Sequence, residues 1–317
     1  MHRLLLCLCL ICSDVTAQQV VNDVSGLNPV VMARVVAPRS EQDVVDALRS
    51  YPGAVSIGGG RYSMGGQTAA DGALQLDMRS LDKVLEFSPE RREIRVQSGI
   101  TWRAILEYID PYDLSPQIMQ SYANFTVGGS LSVNVHGRYV GEGPIVGSVK
   151  AIRVVLADGR VVDASPTDNA ALFYGVIGGY GGLGVIVEAR LGLAENTRIA
   201  RESQVMALQE YRPWFYREVA SQADLVMHNG ILYPDDFSTI RAVSYRRTEA
   251  ALTEPDRLSP LQQGSHLQRA GIRLSGWSSG IKLREATLDP LLFRSPKVQW
   301  RNHCLLYTSP SPRDKRQ

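Results

Sequence analysis

The first third of the chain alternates between short apolar runs with strand periodicity and amphipathic segments with helix periodicity. Apolar side chains recur at every second residue in a half-buried strand and at every third or fourth residue in a helix. The pattern predicts strands at the start of 34–50, over 53–59 and over 73–78, a hairpin over 84–99, and helices in the rest of 34–50 and over 101–110. Ser40 and Thr101 are suitable N-cap residues, and Pro111 is expected to end the second helix. This order predicts a compact α+β lobe.

A second group of strands follows a glycine-rich stretch. The segment 149–165 places two β-branched runs on either side of Asp158-Gly159, a residue pair that favours tight hairpin turns. A short helix over 169–179 and a strand over 184–194 complete this part. Beyond Ala200 the charge rises and glycine becomes rarer, so the pattern predicts a boundary there and a second domain over 201–303.

The bulk composition is that of a globular protein. Of the 317 residues, 44% are hydrophobic and 21% are charged, which is enough to bury a sizeable core. The formal net charge is +2, and aromatic residues do not interleave with basic runs. Nucleic acid and anionic membranes are therefore not expected partners, and the oligomeric state stays open.

The N-terminus has the layout of an export signal. An apolar run over 4–12 follows a short basic start, and Val15-Thr16-Ala17 is a small-residue cleavage pattern. The run is too short to span a bilayer. We therefore predict a signal peptide over 1–17 and a periplasmic or secreted protein. A buried N-terminal helix and a misassigned start codon are the alternatives.

The cysteines and the C-terminal stretch bear on the limits of the native chain. Three of the four cysteines lie in the export segment, and only Cys304 lies outside it, so neither a disulfide nor a metal site is expected. From Cys304 onward, "CLLYTSPSPRDKRQ" has no helix or strand period and resembles a translated sequencing adapter. We interpret 304–317 as a non-native or disordered tail, and the chain as truncated near His303.

Three glycine-rich turns are the main candidates for chemistry, at 58–66, 128–143 and 178–184. The last has the G-x-G-x-x-G spacing of a dinucleotide fingerprint, but a helix precedes it and a strand follows. Because that fingerprint needs the opposite order, a Rossmann site is not predicted. Backbone N–H groups of such turns can cradle an anion. The residues alone leave two interpretations, a cradle for a large pyrophosphate cofactor or a loop-rich β protein.

Four stretches, in this order, carry a resemblance: "VSIGGGRYSMGGQ", "LDMRSLDKVLEFSPERREIRVQSGITW", "FTVGGSLSVNVHGR" and the segment from "VKAIRVVLADGRVVDAS" to "GGYGGLGVIVEARLGL". Together they resemble the PCMH-type FAD-binding domain of the vanillyl-alcohol-oxidase superfamily, over roughly 30–195. Within it, the sequence looks closest to the sugar-alcohol, aldonolactone and decaprenylphosphoryl-ribose oxidases.

The resemblance implies an α+β fold, in which a two-subdomain FAD-binding domain over 28–200 precedes a truncated α+β substrate cap domain over 201–303. The first two glycine loops would follow the FAD pyrophosphate, and the third would hold the adenosine end. The residues that it implies for cofactor binding are Ile57, Gly58, Gly59, Gly60, Arg61, Tyr62, Ser63, Gly65, Gly66, Thr126, Val127, Gly128, Gly129, Ser130, Ser132, Val133, Asn134, Gly137, Gly184, Val185 and Ile186.

One departure from the family pattern concerns covalent attachment. Many covalent members carry a histidine just after the G-x-G of the first loop, and we place Arg61 at that position. Arginine cannot form the bond to the flavin, so non-covalent FAD is predicted. Arg61 and Tyr62 could contact a phosphate or the flavin edge, or Arg61 could only bond the loop carbonyls.

One of the five histidines is a candidate for chemistry. His136 ends a stretch that we interpret as an alternating strand, and in the resembled oxidases a histidine of this segment lies beside the flavin. It is the candidate catalytic residue, able to orient or polarise a substrate hydroxyl, with a structural histidine as the alternative. Asn134 and Tyr139 could line the same wall. His228 and His266 have no second ligand at metal spacing and are interpreted as structural or surface residues.

The function implied by the resemblance is flavin-dependent oxidation of CH–OH to C=O in a small, polar, carbohydrate-like substrate. Electrons would then pass to dioxygen or to another acceptor. One alternative is an exported flavin-binding protein with an incomplete catalytic site. The other is an NAD-linked dehydrogenase, which the reversed order around the third glycine loop disfavours.

Overall fold

The computed structural model describes residues 19–233, 237–259, 273–274, 278–293 and 297–306. The predicted export segment and His266 lie outside the described residues. In the first part of the chain the strands are β1 (Gln19–Val21), β2 (Val30–Met32), β3 (Arg34–Val36), β4 (Val55–Gly58), β5 (Leu74–Asp77), β6 (Val84–Ser88), β7 (Glu93–Gln97), β8 (Leu114–Pro116), β9 (Val149–Val155), β10 (Val161–Ala164) and β11 (Val185–Glu195). The helices there are α1 (Glu41–Ser50), α2 (Trp102–Ile109), α3 (Val127–Ser132) and α4 (Ala170–Val176).

A small parallel sheet forms the first layer, with strand order β3-β5-β4. The helix α1 begins with a capping box, in which Ser40 and Asp43 exchange side-chain-to-backbone hydrogen bonds of 3.1 Å. Its buried face, including Val44 and Val45, shares one hydrophobic cluster with Leu74 and other residues of the sheet. The carboxyl end of β4 leads directly into the first glycine-rich loop.

A larger antiparallel sheet forms the second layer, in the order β10-β9-β11-β7-β6, with β8 paired to the far end of β11. The hairpin predicted around Asp158-Gly159 is confirmed: β9 and β10 pair antiparallel, and Gly159 has a φ of +77°. The predicted hairpin over 84–99 is likewise confirmed as β6 and β7. Trp102, on α2, and Phe173, on α4, are buried in the core beside this sheet.

The helix end expected at Pro111 is confirmed, since α2 ends at Ile109. The helix α2 continues into a 3₁₀ turn over Asp110–Tyr112 that contains the proline. A proline is tolerated in the first positions of such a turn because no N–H donor is needed there. The chain leaves the turn at Asp113, where φ is +56°.

The prediction of a strand that ends at His136 is wrong, because the first half of that stretch belongs to the helix α3. The Thr126 side chain caps this helix by accepting a hydrogen bond from the third helical residue, at 3.3 Å. Val127 and Leu131 lie one helical turn apart and are both fully buried. The apolar alternation continues to Val133, which is exposed, so the period of two does not describe a buried face here.

A second antiparallel sheet follows a two-residue connection after β11. Its strands are β12 (Arg198–Ala207), β13 (Leu225–Leu232), β14 (Thr239–Arg247) and β15 (Lys297–Trp300), in the order β13-β14-β12-β15. The helices of this part are α5 (Leu208–Glu218), α6 (Ser278–Thr287), α7 (Asp289–Leu292) and α8 (Arg301–Leu305). The start of β12 at Arg198 lies close to Ala200, beyond which the charge rises and glycine becomes rarer. None of the helices in the described ranges has the length and apolarity that a membrane span requires.

The two parts of the molecule share one hydrophobic core. Ile199, Met227 and Tyr245 from the second sheet belong to the same buried cluster as Trp102. The backbone of residues 138–140 also pairs with β13, since the His228 N–H donates to the Arg138 carbonyl at 2.8 Å.

A buried polar network ties the same two parts together. The Asp110 carboxylate accepts hydrogen bonds from the side chains of Asn196 (3.0 Å) and Asn302 (2.8 Å), and from Arg257 (2.8 Å). The first part therefore relies on residues near the end of the described chain for its buried carboxylate.

The predicted tail begins three residues too early. Cys304, Leu305 and Leu306 are buried in the shared core, at 4%, 2% and 1% exposure. Arg138 approaches the Cys304 sulfur from inside the protein, with its Nη2 3.6 Å away. The apolar Cys-Leu-Leu triplet packs regardless of its lack of periodicity, because it continues a short helix. Residues 307–317 lie outside the described residues.

Candidate functional site

One cavity of about 280 Å³ lies where the three glycine-rich loops meet. It is lined by Ile57, Gly59, Gly60, Arg61, Tyr62, Ser63, Gln67, Thr68, Met78, Ser98, Phe125, Thr126, Gly128, Gly129, Ser130, Ser132, Val133, Val135, Tyr180, Gly181, Gly184 and Ile186. The convergence follows from topology, because β4, α3 and β11 bring the three loops to one edge of the two sheets.

The first loop is held in place by an ion pair behind it. Arg61 has a φ of +58°, a left-handed conformation that is uncommon for a residue with a side chain, and its Nη2 lies 2.9 Å from the Asp77 carboxylate. Arg79 also bonds Asp77, at 2.7 and 2.8 Å. Burial raises the pKa of the Asp77 carboxyl, but the hydrogen bonds and charges of the two arginines outweigh it and leave that pKa lowered. Asp77 thus stays ionised and fixes the Arg61 guanidinium.

An aromatic cluster closes one end of the cavity. The Tyr62 ring lies 5.0 Å from the Tyr122 ring and 4.8 Å from the Phe125 ring, measured between centroids. Such edge and tilted arrangements are favourable aromatic contacts. Tyr62 therefore presents a flat apolar wall beside the polar loop.

The second loop approaches its neighbours closely through backbone. The Gly128 N–H donates to the Ser98 carbonyl at 2.7 Å, and a Cβ on Gly128 would lie 2.9 Å from the Ser98 Cβ. Ser130 is buried, and its hydroxyl already has two protein partners: it accepts from the Trp102 indole N–H and donates to Gln120, both at 2.9 Å. This loop therefore presents glycine backbone to the cavity, while its serine side chain supports the core.

The third loop is fastened to the second. The Tyr180 N–H donates to the Ser132 carbonyl at 3.0 Å, and the Gly178 N–H donates to the Leu131 carbonyl at 2.9 Å. Gly181, with a φ of +78°, packs so closely on Ile57 that an added Cβ would lie 2.9 Å from the isoleucine Cδ1. The three loops thus form one connected wall.

Two buried polar atoms in this wall have no protein partner. They are the Ser98 hydroxyl oxygen and the Arg61 Nε, and both residues line the cavity. Buried hydroxyl and guanidinium groups are seldom left unbonded, because burial without a hydrogen bond costs free energy. A hydroxyl, a guanidinium N–H and glycine backbone on one concave surface suit a ligand that is rich in oxygen acceptors, such as a pyrophosphate. The residues present therefore fit a dinucleotide cofactor.

Most of the residues expected to bind the cofactor line the cavity, and seven do not: Gly58, Gly65, Gly66, Val127, Asn134, Gly137 and Val185. The side chains of Val127 and Val185 are buried in the core, and the Asn134 side-chain Oδ1 accepts from the Val146 N–H at 3.2 Å. The Gly66 N–H donates to Asp23 at 3.3 Å. Cofactor contact stays a prediction for all the residues expected from the sequence, and these seven lack a place in the cavity wall as well.

Eight lining residues were not expected from the sequence: Gln67, Thr68, Met78, Ser98, Phe125, Val135, Tyr180 and Gly181. Gly181 and Tyr180 lie inside the third glycine motif, so the motif itself signalled them. Ser98 comes from the end of the β6–β7 hairpin, and the sequence carries no local sign that this hydroxyl reaches the loops.

The structure places the candidate catalytic histidine outside the cavity. His136 is exposed, its Nδ1 lies 3.2 Å from the Gly137 carbonyl, and only its neighbour Val135 lines the wall. Tyr139 is turned into the core, with the Arg301 guanidinium 4.9 Å from its ring centroid. Neither it nor Asn134 lines this cavity, and the catalytic role of His136 stays a prediction.

His228 has the structural role expected of it. Its two ring nitrogens lie 2.7 Å from the Tyr211 hydroxyl and 3.0 Å from the Ser244 hydroxyl. Burial lowers its pKa to about 4, so the ring is neutral at physiological pH. In the part of the chain that the structure describes, no three histidine, cysteine or acidic side chains converge as metal ligands.

A second cavity of about 350 Å³ adjoins the first at the aromatic cluster. It shares Gly60, Tyr62 and Thr126 with the first cavity and is also lined by Arg79, Asp82, Gly99, Ile100, Thr101, Ala104 and Asn124. A ligand at the Tyr62 end of the first cavity would therefore lie next to a second, partly polar space.

Comparison with known proteins agrees with this geometry. Residues 32–165 match the family model described as an FAD binding domain. Cytokinin dehydrogenase 3 of Oryza sativa subsp. japonica is 32% identical over 176 residues, which covers 53% of this chain and 33% of that protein. An uncharacterized oxidoreductase of the fasciation locus of Rhodococcoides fascians is 33% identical over 173 residues, covering 53% of this chain and 39% of that protein.

Cytokinin dehydrogenase 2 of Arabidopsis thaliana is 29% identical over 186 residues, covering 57% of this chain and 37% of that protein. The chain thus spans about a third of the length of the curated relatives it matches. The similarity to sugar-alcohol, aldonolactone or decaprenylphosphoryl-ribose oxidases stays a prediction, since the relatives named here are of other kinds. Residues 32–165 are similar to an FAD binding domain, which confirms FAD as the expected cofactor.

Proposed function

We propose that the protein is an FAD-dependent oxidoreductase. The observation that carries the proposal is the cavity at the meeting point of three glycine loops, with the unpartnered Ser98 hydroxyl and Arg61 Nε in its wall. Two of these loops lie inside the stretch that matches the FAD-binding domain, and relatives over that stretch include dehydrogenases and an oxidoreductase.

The protein's own groups would hold and orient the cofactor. Backbone at Gly59 and Gly60 would bear the phosphates, with the Ser98 hydroxyl as an added donor. Gly128 and Gly129, whose N–H groups are bonded to Ser98 and Thr126, would only let the cofactor approach the backbone closely. Asp77 holds Arg61 beside them, so one positive charge is in position before the cofactor arrives. When bound, FAD supplies the hydride acceptor, and the second half-reaction returns the electrons to an acceptor.

We propose that the FAD is held without a covalent bond. Arg61 is engaged with Asp77, Tyr62 packs against other aromatic rings, and neither histidine nor cysteine is among the residues lining the cavity. The purified holoprotein should release all its flavin to the supernatant on precipitation with trichloroacetic acid. Yellow colour retained in the washed pellet would contradict this.

The sequence resemblance and the named relatives suggest different substrate classes. The resemblance noted in the sequence favours a CH–OH group of a carbohydrate-like molecule, whereas several relatives are named for cytokinins. The match to the family model ends at residue 165, before the sheet of β12 to β15 begins, and we propose that sheet as a substrate cap. We therefore propose oxidation of a carbon that bears oxygen or nitrogen, and the two substrates form the arms of the test.

The deciding experiment is anaerobic reduction of the bound flavin. The yellow holoprotein is mixed with alditols, aldonolactones or cytokinins, and absorbance near 450 nm is followed. Bleaching by one class assigns the substrate. A holoprotein that binds FAD but bleaches with none of them, while dithionite reduces it fully, would support the alternative of a flavin-binding protein with an incomplete site.

We also infer export through residues 1–17, on the sequence layout alone. N-terminal sequencing of protein recovered from the periplasm or medium should begin at Gln18. An uncleaved N-terminus in a cytoplasmic fraction would contradict it.

A further inference from the structure

The segment 22–28 closes on itself beside the first glycine loop. The Asn22 side-chain oxygen accepts from the N–H groups of Asp23 (2.9 Å) and Asn28 (3.1 Å), so the two ends of the segment are held together. Asp23 is buried, and its carboxylate accepts from the Ser25 N–H at 2.8 Å and from the Asn28 side-chain amide at 2.7 Å. Burial raises the pKa of the Asp23 carboxyl, but the hydrogen bonds that it accepts outweigh burial and leave that pKa lowered. The carboxylate is therefore ionised at neutral pH and accepts several donors at once.

Three hydrogen bonds fasten this segment to the far half of the first glycine loop. They join the Val24 N–H to the Arg61 carbonyl (3.1 Å), the Asn28 side-chain amide to the Met64 carbonyl (3.0 Å) and the Gly66 N–H to the Asp23 carboxylate (3.3 Å). Gly66 also packs closely on the segment, since an added Cβ would lie 3.3 Å from the Asn28 Cβ. Both ends of the stretch 61–66 are thus held from outside the loop.

The fastened stretch contributes residues to the cavity wall. Arg61, Tyr62 and Ser63 line the cavity and lie within the stretch that the three bonds hold. The φ of Arg61 is +58°, and a residue with a side chain keeps such a conformation only where surrounding contacts hold it. Asp77 fixes the Arg61 guanidinium, whereas Val24 fixes the Arg61 backbone.

We propose that the segment 22–28 is a strap that orders the first glycine loop before FAD binds, and that Asp23 is its positioning residue. Asp23 is not among the cavity-lining residues, so it acts through Gly66 and Asn28. Without the strap, the backbone of 61–66 would be ordered only during binding, and the entropy lost in ordering it would weaken the affinity. The proposal rests on the proposed function, FAD binding in this cavity.

The experiment separates order in the loop from overall stability. Amide hydrogen exchange of the peptide that covers 58–68 is followed by mass spectrometry, without FAD and at saturating FAD, for the wild type, Asp23→Ala and Asn28→Ala. FAD affinity is measured by fluorescence titration, and apoprotein melting temperatures verify folding. Gln19→Ala is the matched control, because the Gln19 side-chain oxygen accepts from the Val35 N–H at 2.7 Å and so ties the same part of the chain to the parallel sheet instead of the loop.

Asp23→Ala should speed exchange of the 58–68 peptide in the apoprotein and weaken FAD by about tenfold, the cost of ordering one further backbone residue. Asn28→Ala, which keeps the buried carboxylate, should show the same two changes to a smaller extent, and it carries the test if Asp23→Ala does not fold. Saturating FAD should restore wild-type exchange in both variants. Gln19→Ala should match the wild type in exchange and in affinity.

Two results would overturn the strap. The first is unchanged exchange of the 58–68 peptide in the folded Asp23→Ala and Asn28→Ala apoproteins. The second is an equal loss of FAD affinity in Gln19→Ala. A wild type that binds no FAD would instead overturn the proposed function, while exchange in the apoproteins would still decide whether the strap orders the loop.

Discussion

The two sheet regions of the molecule use buried polar groups in opposite ways. In the region of the glycine loops and the sheet of β6 to β11, Ser98 lines the cavity, and its buried hydroxyl has no protein partner. In the region of the sheet of β12 to β15, the His228 ring is hydrogen-bonded between Tyr211 and Ser244, and Asp289 accepts from Tyr233 at 2.6 Å. A buried group with protein partners braces the fold, whereas a buried group without them is available to a ligand only where it lies in a cavity wall, as Ser98 does and the unbonded Ser115 does not. Bonding and position in the cavity wall together therefore distinguish ligand-binding residues from bracing residues better than residue type does.

The largest effect should come from breaking a brace. Asp289 is fully buried and bonds Arg284 at 3.0 Å as well as Tyr233, so Asp289→Ala removes the carboxylate from a half-buried guanidinium and from a buried tyrosine hydroxyl. The free energy of unfolding should fall by about 3 kcal/mol, measured by urea denaturation. Asp224→Ala removes an exposed partner of Arg246 and should cost less than about 1 kcal/mol. Both variants, once folded, should bind FAD as the wild type does. A loss of FAD affinity in folded Asp289→Ala alone would contradict the purely bracing role of Asp289.

The next effect tests the close backbone approach at the second glycine loop. A Cβ on Gly128 would press on the Ser98 Cβ and lie 3.1 Å from the Ser98 carbonyl oxygen. Overpacking of this kind costs about 1–3 kcal/mol, so Gly128→Ala should weaken FAD by about 10- to 100-fold in a fluorescence titration. Gly143→Ala is the control, because nothing lies within 4 Å of its added Cβ. Equal FAD affinity in the two variants would show that the loop does not touch the cofactor.

A smaller effect of opposite signs is expected at Ser98. Removing an unbonded buried hydroxyl should stabilise the apoprotein slightly, yet the lost donor should weaken FAD by about fivefold. Ser115→Ala is the matched control, since that hydroxyl is equally buried and unbonded but lies outside the cavity. It should reproduce the change in apoprotein melting temperature without the loss of affinity. Tighter FAD binding by Ser98→Ala than by the wild type would show that the Ser98 hydroxyl does not bind the cofactor.

The smallest effect concerns pH and the bracing histidine. The folded pKa of His228, about 4, lies below the ordinary value of 6.5, so the unfolded chain takes up this proton first as pH falls. The stability that this histidine contributes is therefore present at neutral pH and is lost between about pH 6.5 and 4. The urea midpoint of the wild type should fall more steeply across that window than that of His228→Gln. Parallel curves would mean that the ring is not buried in its neutral form.

The sequence was a good guide where one short segment carries its own signal. The hairpin at Asp158-Gly159 and the capped helix after Ser40 follow from local residue preferences, and the three glycine turns do meet at one cavity. The order of helix and strand around the third turn also excluded a Rossmann site without any tertiary information. These features depend on backbone geometry that a few neighbouring residues decide.

Prediction from the sequence failed where helix and strand periodicities overlap in one segment, and where a residue's role depends on contacts with distant parts of the chain. The alternation through Leu131, Val133 and Val135 reads as a strand, but the Thr126 cap and the buried turn from Val127 to Leu131 select a helix. His136 consequently projects to solvent rather than along a strand toward the cavity. The role of Ser98 could not be predicted, because it depends on the absence of a hydrogen-bond partner for its hydroxyl in the folded protein.

The shared core limits how the molecule can admit a ligand. Only two residues join β11 to β12, and Asp110 is bonded to both Asn196 and Asn302 across the same boundary. Swinging the second sheet away from the first would expose Met227 and Tyr245 to water and break this network. Opening by rotation about a hinge is therefore too costly for routine turnover. We expect cofactor and substrate to enter by displacement of loop side chains, on a framework that stays rigid.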